Sequence, residues 1–258
     1  MNRIQDLFSK KKQHVLSIFI TCGFPHLNSL PEILEALQEA GADMVEIGIP
    51  FSDPTADGPV IQHSNHTAIA QGMTLKVLFE QLKDIRKTVS IPLVLMGYLN
   101  PPLQYGFEKF LEDSAACGID GVILPDLPEE EYVKNYQTQF EEKNLSAIFL
   151  ITPQTSEKRI RQIDNLSTGF IYVVSTNTIT GGKVDFESGQ KAYFSKIKDL
   201  NLKNPALVGF GIRDRETFEI ASKYLNGAII GSAFVRKMEA NPDRLRVAVL
   251  EFIQSIKG

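Results

Sequence analysis

The chain has 258 residues, 43% of them hydrophobic, and its 27 basic and 31 acidic residues give a formal net charge of −4. This length and composition suit one large hydrophobic core, so we expect a single domain over residues 1–258. The charges form no basic block and no apolar run approaches the roughly 18 residues of a membrane span, so we expect neither a nucleic-acid nor a membrane partner.

Short apolar runs recur along the chain, and each is followed by a segment with helical periodicity. Their composition, rich in Val, Ile and Leu, is typical of parallel strands covered on both faces. Strands are predicted over 15–21, 42–50, 91–98, 121–126, 145–152, 169–176, 205–212 and 227–233. Eight strand–helix units in a chain of this length predict an α/β fold, the (β/α)8 or TIM barrel.

The segments between the runs have amphipathic helical patterns. In "LPEILEALQEAG" one helical stripe carries four apolar residues, Leu30, Ile33, Leu34 and Leu37. An open doubly wound sheet is the alternative architecture. It would be favoured by a GxGxxG turn after the first strand, whereas the sequence there is "TCGFPHLN".

Two intervals are longer than a minimal strand–helix unit. Residues 51–90 are long enough for a loop and two helical pieces. Residues 177–189, "NTITGGKVDFESG", are rich in glycine and small polar residues, which makes them a candidate lid. A surface insertion without a function is the alternative for this second interval.

The second run, "VEIGIP", carries a carboxylate in the middle of a predicted strand. Because side chains alternate along a barrel strand, the outward face takes Val45, Ile47 and Ile49, and Glu46 points into the barrel. Gly48, one layer nearer the mouth, is expected to leave space above Glu46. Desolvation should raise the pKa of this carboxyl group, which suits a general acid or base. The alternative is a structural ion pair, but no predicted strand carries a basic residue in its interior.

Asp57 follows the same strand, in the loop where barrel enzymes keep their chemistry. A carboxylate exposed to loop solvent should stay ionised, and two carboxylates in contrasting environments can take separate acid and base roles. Asp53, before Pro54, reads as a turn former. Taken alone, "ADGP" is also a turn sequence, so a structural role for Asp57 stays open.

Glycines at the ends of the last two strands suggest a phosphate site. Gly211 and Gly231 would let backbone N–H groups approach an anion, and Ser232 would cap a short following helix. The loops after strands seven and eight bind phosphate in many barrels. Gly181, in the long loop after strand six, would close the site from the side. Ordinary turn geometry is the alternative for all three glycines.

Cofactor and metal signals are weak in this sequence. His63 and His66 have a spacing that would suit a metal, but no third ligand is evident, and a surface helix is the better interpretation. Cys22 and Cys117 lack redox or metal spacing, and so few cysteines fit a reducing compartment. The first residues, "MNRIQDLFSKKKQ", lack the apolar core of a secretory signal. We therefore expect a cytoplasmic protein without a metal site.

Several long motifs together resemble one known family. The stretch "VEIGIPFSDPTADGPVIQ" is similar to the signature of the tryptophan synthase alpha subunit family. The similarity continues, in order and at the family's spacing, through "LVLMGYLNPPLQYG", "GVILPDLPEEE", "FIYVVS", "VGFGI" and "GAIIGSAFV". It covers essentially the whole chain. The resemblance implies a (β/α)8 barrel that cleaves indole-3-glycerol phosphate to indole and glyceraldehyde 3-phosphate without a cofactor.

The resemblance also implies roles for individual residues. Glu46 would protonate indole C3 and handle the glycerol hydroxyl proton, Asp57 would interact with the indole N–H, and Tyr172 is the matching active-site tyrosine. The indole pocket would be lined by Phe19, Ile61, Met96, Tyr98 and Leu124. The phosphate contacts would be Gly181, Gly211, Gly231 and Ser232, and Thr180 would be the lid threonine.

The family pairs its alpha subunits with a beta subunit that binds pyridoxal phosphate and consumes the indole. An α2β2 assembly is therefore expected, with residues 53–59 and the segment near Asn100 facing the partner. The chain departs from the family pattern at Thr176, Thr178 and Thr67. Two other functions are weighed against cleavage: a phosphosugar isomerase or epimerase on the same barrel, and a non-catalytic activator of a beta subunit.

Overall fold

The computed structural model describes residues 2–175 and 186–258, and nine parallel strands form its sheet. The strands are β1 (Val15–Thr21), β2 (Met44–Gly48), β3 (Leu93–Met96), β4 (Gly121–Ile123), β5 (Ser146–Ala147), β6 (Phe149–Ile151), β7 (Ile171–Val174), β8 (Ala206–Gly209) and β9 (Gly227–Ile230). Each strand lies within one of the eight predicted runs, which confirms the strand assignment.

The sheet closes on itself as a barrel. The strand order is β5-β4-β3-β2-β1-β9-β8-β7-β6, so β1 and β9, the first and last strands of the chain, are neighbours. The two ends of this order, β5 and β6, are separated only by Ile148 and belong to the single predicted strand 145–152. The predicted (β/α)8 barrel is confirmed and the open doubly wound sheet is wrong. The fifth strand differs from the prediction because it is broken in two at Ile148.

Helices follow the strands around the barrel. They are α1 (Arg3–Lys10), α2 (Leu30–Glu39), α3 (Pro59–Ala70), α4 (Leu75–Leu82), α5 (Asn100–Tyr105), α6 (Phe107–Ala116), α7 (Glu129–Glu131), α8 (Gln137–Glu142), α9 (Glu157–Leu166), α10 (Phe186–Asp199), α11 (Arg215–Tyr224), α12 (Ser232–Glu239) and α13 (Leu245–Lys257). A π-helical turn, Tyr132–Tyr136, joins α7 to α8. The predicted loop and two helical pieces in 51–90 correspond to α3 and α4. None of the helices in the described ranges is long and apolar enough to cross a bilayer.

The hydrophobic core has two layers, one on each face of the barrel strands. Outward side chains of β2, such as Val45 and Ile47, join the large cluster between strands and helices. Inward side chains, such as Met44, join a smaller cluster inside the barrel. The period-two alternation predicted for this strand is therefore confirmed. It brings Glu46 to the barrel interior, where it is fully buried.

The N-terminal helix α1 closes the barrel at the end opposite the carboxyl ends of the strands. Asn2 caps this helix through a capping box with Gln5, and its amide also donates to the Asp120 carbonyl. Ile4 of α1 is buried in the interior cluster. Beside it, the Asp120 carboxylate is 2% exposed and accepts hydrogen bonds from Arg86 at 2.6 Å and from the Leu93 N–H at 3.0 Å.

Removing the Asp120 charge is expected to destabilise the barrel. In Asp120→Asn the buried guanidinium of Arg86 loses its counter-charge, and breaking such a pair on one side costs about 3 kcal/mol. Urea unfolding followed by circular dichroism measures this loss. Asp84→Asn makes the same change in an exposed pair with Lys87 and should leave the free energy of unfolding unchanged. Equal stability of both variants would contradict the structural role of Asp120.

Candidate active site

The carboxyl ends of the strands surround two adjoining cavities. The larger, here called the main cavity, is about 520 Å³, and the smaller, the side cavity, is about 250 Å³. The side cavity extends toward the ends of β8 and β9. Six residues line both: Phe19, Asp57, Gly58, Ile61, Met96 and Phe210. A single elongated site with an apolar middle is therefore present at the mouth of the barrel.

Glu46 lies in the barrel interior beneath this site and is 0% exposed. Its Oε1 accepts a hydrogen bond of 3.3 Å from the Ser17 hydroxyl, and its Oε2 has no partner among the described residues. Burial raises the pKa of Glu46 to about 8, against a smaller lowering by Ser17. The raised pKa agrees with the sequence prediction. No Arg or Lys in the described ranges pairs with Glu46, so the structural ion pair is wrong.

Gly48 lines the main cavity, but the Phe19 ring takes the place that a side chain at this position would occupy. A Cβ built on Gly48 would lie 2.5 Å from the Phe19 ring, so the glycine makes room for that ring. The Glu46 carboxyl group meanwhile bonds to Ser17, which pairs in register with Met44, one layer farther from the mouth. The carboxyl group is therefore turned away from the cavity. The sequence prediction missed this because Phe19 and Gly48 meet across two strands.

Asp57 lies in the loop after β2 and is half-buried at the wall shared by both cavities. Burial raises its pKa to about 6, and a hydrogen bond from the Tyr98 hydroxyl opposes the rise. A carboxylate exposed to loop solvent was predicted here, but the walls of the cavity partly enclose Asp57. At neutral pH Asp57 is still mainly ionised, whereas Glu46 is mainly protonated.

Helix α3 holds the loop that carries Asp57. The Gln62 amide donates to the Asp57 carbonyl at 2.9 Å, and the Asn65 side chain accepts from the Phe51 N–H at 3.1 Å. From the other side, the Tyr98 hydroxyl accepts from the Ala56 N–H at 3.0 Å. These contacts fix the loop backbone at both its ends. The positioning role of Gln62 and Asn65 was not predicted from the sequence.

Tyr172 lines the side cavity and is fitted closely to Gly209 of the next strand. It is 4% exposed, and burial together with the nearby Glu46 and Asp57 carboxyl groups raises the pKa of its phenol well above the usual value. A Cβ built on Gly209 would lie 2.0 Å from the Tyr172 hydroxyl oxygen. Only a glycine at that position leaves room for the ring.

Gly209→Ala is accordingly expected to lower the free energy of unfolding by about 2 kcal/mol, because the added methyl group must displace the Tyr172 ring. Thermal unfolding monitored by calorimetry measures the loss. Gly189→Ala is the matched control, since a Cβ there meets nothing within 4 Å. If Gly209→Ala were as stable as this control, the close packing of the ring would be disproved.

Phe210 lines both cavities and was not identified from the sequence. Its φ of +66° is rare for a residue with a side chain, and its ring lies edge-on to Tyr172 with centroids 6.3 Å apart. The Ser175 hydroxyl donates a hydrogen bond to the Phe210 carbonyl and supports this turn. An aromatic residue between two strand-end glycines, "GFG", was the signal available in the sequence.

Three of the four predicted anion-binding residues, Gly211, Gly231 and Ser232, line the side cavity. Gly211 has a φ of +76°, as a turn glycine requires. Helix α12 begins at Ser232 and its cap position is Gly231, which corrects the prediction that Ser232 is the cap. Arg213 and Arg236 also line this cavity and were not identified from the sequence.

The predicted indole-pocket residues fall into two groups. The main cavity is lined by four of them, Phe19, Ile61, Met96 and Tyr98. Leu124, which follows the end of β4, does not line the main cavity and packs instead in the strand–helix layer. Pro125 takes its place in the cavity wall. This corrects the prediction for Leu124.

Some sequence predictions lie outside the described residues or away from the site. Thr180 and Gly181, the departures Thr176 and Thr178, and most of the candidate lid 177–189 fall in or beside residues 176–185, which are not described. His63 pairs with Glu239 and His66 contacts the Ser52 carbonyl. Within 2–175 and 186–258, no three His, Cys, Asp or Glu side chains cluster as metal ligands would.

Taken together, the site can transfer a proton and hold an anion. A protonated carboxyl group lies beneath an apolar cavity, and a carboxylate lies at the wall of that cavity. Cations and strand-end glycines lie at the far end. This arrangement fits a flat apolar group in the middle of a substrate and a phosphate at its end.

Known proteins share both the sequence and the fold. Residues 5–257 match the family described as tryptophan synthase alpha chain. The tryptophan synthase alpha chain of Phocaeicola vulgatus is 52% identical over 258 residues, which cover 100% of each chain.

Solved structures agree with this match. The tryptophan synthase subunit alpha of Legionella pneumophila has a TM-score of 0.88 and 32% identity, covering 99% of this chain and 97% of that chain. A chain of the tryptophan synthase complex from Pyrococcus furiosus has a TM-score of 0.84 and 32% identity, covering 95% of this chain and 98% of that chain.

Proposed function

Because this chain belongs to the tryptophan synthase alpha chain family, we propose that it cleaves indole-3-glycerol phosphate with Glu46 and Asp57 as its catalytic pair. The products are indole and glyceraldehyde 3-phosphate, so the chain is a carbon–carbon lyase of tryptophan biosynthesis. The observation that carries the proposal is the buried Glu46 carboxyl group, with a pKa of about 8, beneath an apolar cavity that Asp57 borders.

The substrate binds with its indole ring in the main cavity, between Phe19, Ile61 and Met96, and with Tyr98 at the wall. Its phosphate lies in the side cavity against Gly211, Gly231 and Ser232. Binding at the phosphate end anchors the substrate away from the reacting atoms and orients the ring over Glu46. The distribution of apolar and polar walls supports this orientation.

Cleavage begins with a proton transfer from Glu46 to indole C3. For this step the carboxyl group turns from Ser17 toward the cavity. The ring becomes cationic, and Asp57, ionised beside the indole N–H, stabilises that charge. Tyr172, which lines the side cavity near both carboxyl groups, closes this side of the ring against water.

The same Glu46, now a carboxylate, then removes the proton of the glycerol hydroxyl group next to the ring. The electron pair of that O–H bond forms the aldehyde, the bond between C3 and the glycerol carbon breaks, and its electrons return to the ring. Indole and glyceraldehyde 3-phosphate result, and Glu46 is protonated again. One carboxyl group that exchanges roles balances the protons, so the proposed reaction needs no metal or organic cofactor.

A phosphosugar isomerase would also use the glycine-lined end of the site. It has no need for an apolar cavity of about 520 Å³ beside the two carboxyl groups, so the cavity favours indole cleavage. The second alternative, an activator without its own catalysis, has no need for a buried carboxyl group with a raised pKa. Both alternatives predict no indole release.

Indole release from indole-3-glycerol phosphate, followed by absorbance with and without a tryptophan synthase beta subunit, tests the proposal. We expect release by the chain alone and faster release with the partner. No indole under either condition would overturn the proposal, and acceleration of the beta reaction without release would favour the activator.

We also propose a beta subunit as the protein partner, in an α2β2 assembly in the cytoplasm. The solved tryptophan synthase complex of Pyrococcus furiosus supports this, since one of its chains matches this fold. The loop 53–59 and the start of α5 at Asn100 lie close together at the mouth of the barrel, where the Ala56 N–H donates to the Tyr98 hydroxyl. The indole cavity therefore opens next to the proposed partner surface. Pyridoxal phosphate would be bound by the beta subunit and not by this chain.

A further inference from the structure

Two arginines line the side cavity, and the reaction proposed above gives them no role. Arg213 follows β8 in the loop that carries Gly211, and Arg236 lies in the second turn of α12, which begins at Ser232. Building on the proposed function, we propose that Arg213 and Arg236, the arginine pair, bind the substrate phosphate and make the site selective for a doubly charged phosphate group.

The charge of Arg236 is not compensated by any described residue. It is exposed and makes no ion pair or hydrogen bond with residues 2–175 or 186–258. Its neighbour Lys237, by contrast, pairs with Glu251 at 2.6 Å on another face of the helix. Arg236 shares its face of α12 with Ser232 and Ala233, which line the same cavity. Its guanidinium is therefore available to a ligand in that cavity.

Arg213 is only partly engaged within the protein. Its Nε donates to Asp214 at 3.3 Å, but the other oxygen of that carboxylate already caps α11 by accepting from the Thr217 N–H at 2.9 Å. The terminal nitrogens of Arg213 bind no other residue in the described part of the chain. Both terminal nitrogens of the guanidinium fork are thus left for an anion, the geometry that suits phosphate.

The remaining walls of the side cavity carry little opposing charge. Among its described lining residues the single carboxylate is Asp57, which stands at the edge shared with the main cavity. The strand-end glycines and the N-terminus of α12 offer neutral backbone donors that accept any small anion. Coulomb attraction to the arginine pair grows with ligand charge, so the pair is what distinguishes a dianion from a weaker anion.

Three variants test the pair: Arg213→Gln, Arg236→Gln and the double variant. Because both side chains are exposed, each single change should raise KM for indole-3-glycerol phosphate about 3- to 5-fold, and the double change about 10-fold or more, with kcat nearly unchanged. The difference should shrink as ionic strength rises. Arg215→Gln is the matched control, since Arg215 is exposed two residues away and does not line the cavity.

Two further measurements separate phosphate recognition from a general structural effect. With indole-3-glycerol, which lacks the phosphate, the double variant should match the wild type. Titration of the intact protein with inorganic phosphate should show weaker binding by the double variant, and replacing both arginines by lysine should recover only part of it, because lysine keeps the charge but lacks the guanidinium fork.

The inference is overturned if KM for the phosphorylated substrate is unchanged in the double variant or if Arg215→Gln raises it equally. It is also overturned if the phosphate-free substrate suffers the same loss or if wild-type protein binds no inorganic phosphate. A wild-type protein that releases no indole would instead refute the proposed function, and the phosphate titration would still decide the role of the pair.

Discussion

Replacing Glu46 by Gln is expected to lower kcat for indole release by about 10³-fold, because the amide cannot donate and then recover a proton. The change keeps the size of the side chain, so substrate binding and the barrel itself should persist. Steady-state indole release at saturating substrate measures the loss. Glu142→Gln, the same substitution on the surface of α8, should retain full activity.

The stability of the Glu46→Gln variant provides a second, independent readout. The pKa of Glu46 is raised from 4.5 to about 8 in the folded chain, so the folded state holds a proton that the unfolded state releases. Protonation of Glu46 therefore contributes to the free energy of unfolding of the wild type. This contribution is fully present below pH 4.5 and is lost as the pH rises through about 8.

The variant lacks this titration. Its stability relative to the wild type should therefore rise between pH 4.5 and about 8, by a total on the order of 5 kcal/mol. Denaturant unfolding at several pH values follows the difference. A pH-independent difference would mean that Glu46 has an ordinary pKa, and a variant that no longer folds would mean that Glu46 is a structural residue.

Asp57→Asn is expected to lower kcat by about 10²- to 10³-fold, because the cationic ring loses the anion that stabilises it. The fold should be unaffected, since Gln62 binds the backbone carbonyl of Asp57 rather than its side chain. Asp53→Asn is the matched control: Asp53 lies four residues earlier in the same loop, is exposed and does not line either cavity.

The outcome for Asp57 discriminates between catalysis and turn formation. If both aspartate variants lose activity together, the loop has been disturbed and Asp57 is a turn residue, as "ADGP" alone suggested. If only Asp57→Asn loses kcat, its carboxylate acts on the substrate. Activity of Asp57→Asn within about 3-fold of the wild type would contradict a role in stabilising the transition state.

Much of the fold was predictable because its signals are local. Apolar runs and strand alternation placed Glu46 in the interior, and the loop after the strand placed Asp57 at the mouth. The break at Ile148 was not predictable, since the run 145–152 is continuously apolar and nothing in it opposes a single strand. Leu124 was assigned to the indole pocket because its position in the sequence matches the family pattern. Such a match gives no information on the direction in which the side chain points.

The features of the site that escaped prediction depend on contacts between distant segments. The Phe19 ring takes the place that a side chain at Gly48 would occupy, and the Tyr172 ring does the same at Gly209. Each of these contacts joins two neighbouring strands. Glu46 bonds to Ser17, which directs its carboxyl group away from the cavity. The pKa of Asp57 also depends on how far the surrounding walls enclose it, and spacing along the chain carries no such information.

The pH dependence of kcat/KM for indole release tests most directly whether a protonated Glu46 starts the reaction. The account predicts an alkaline decline with an apparent pKa near 8, as Glu46 loses its proton, and an acidic decline near 6, as Asp57 gains one. The phosphate group of the substrate also titrates, with a pKa of about 6, so the decline at alkaline pH is the decisive part of the profile. A value of kcat/KM that stays level or rises through pH 9, about one unit above the predicted pKa, would contradict the account.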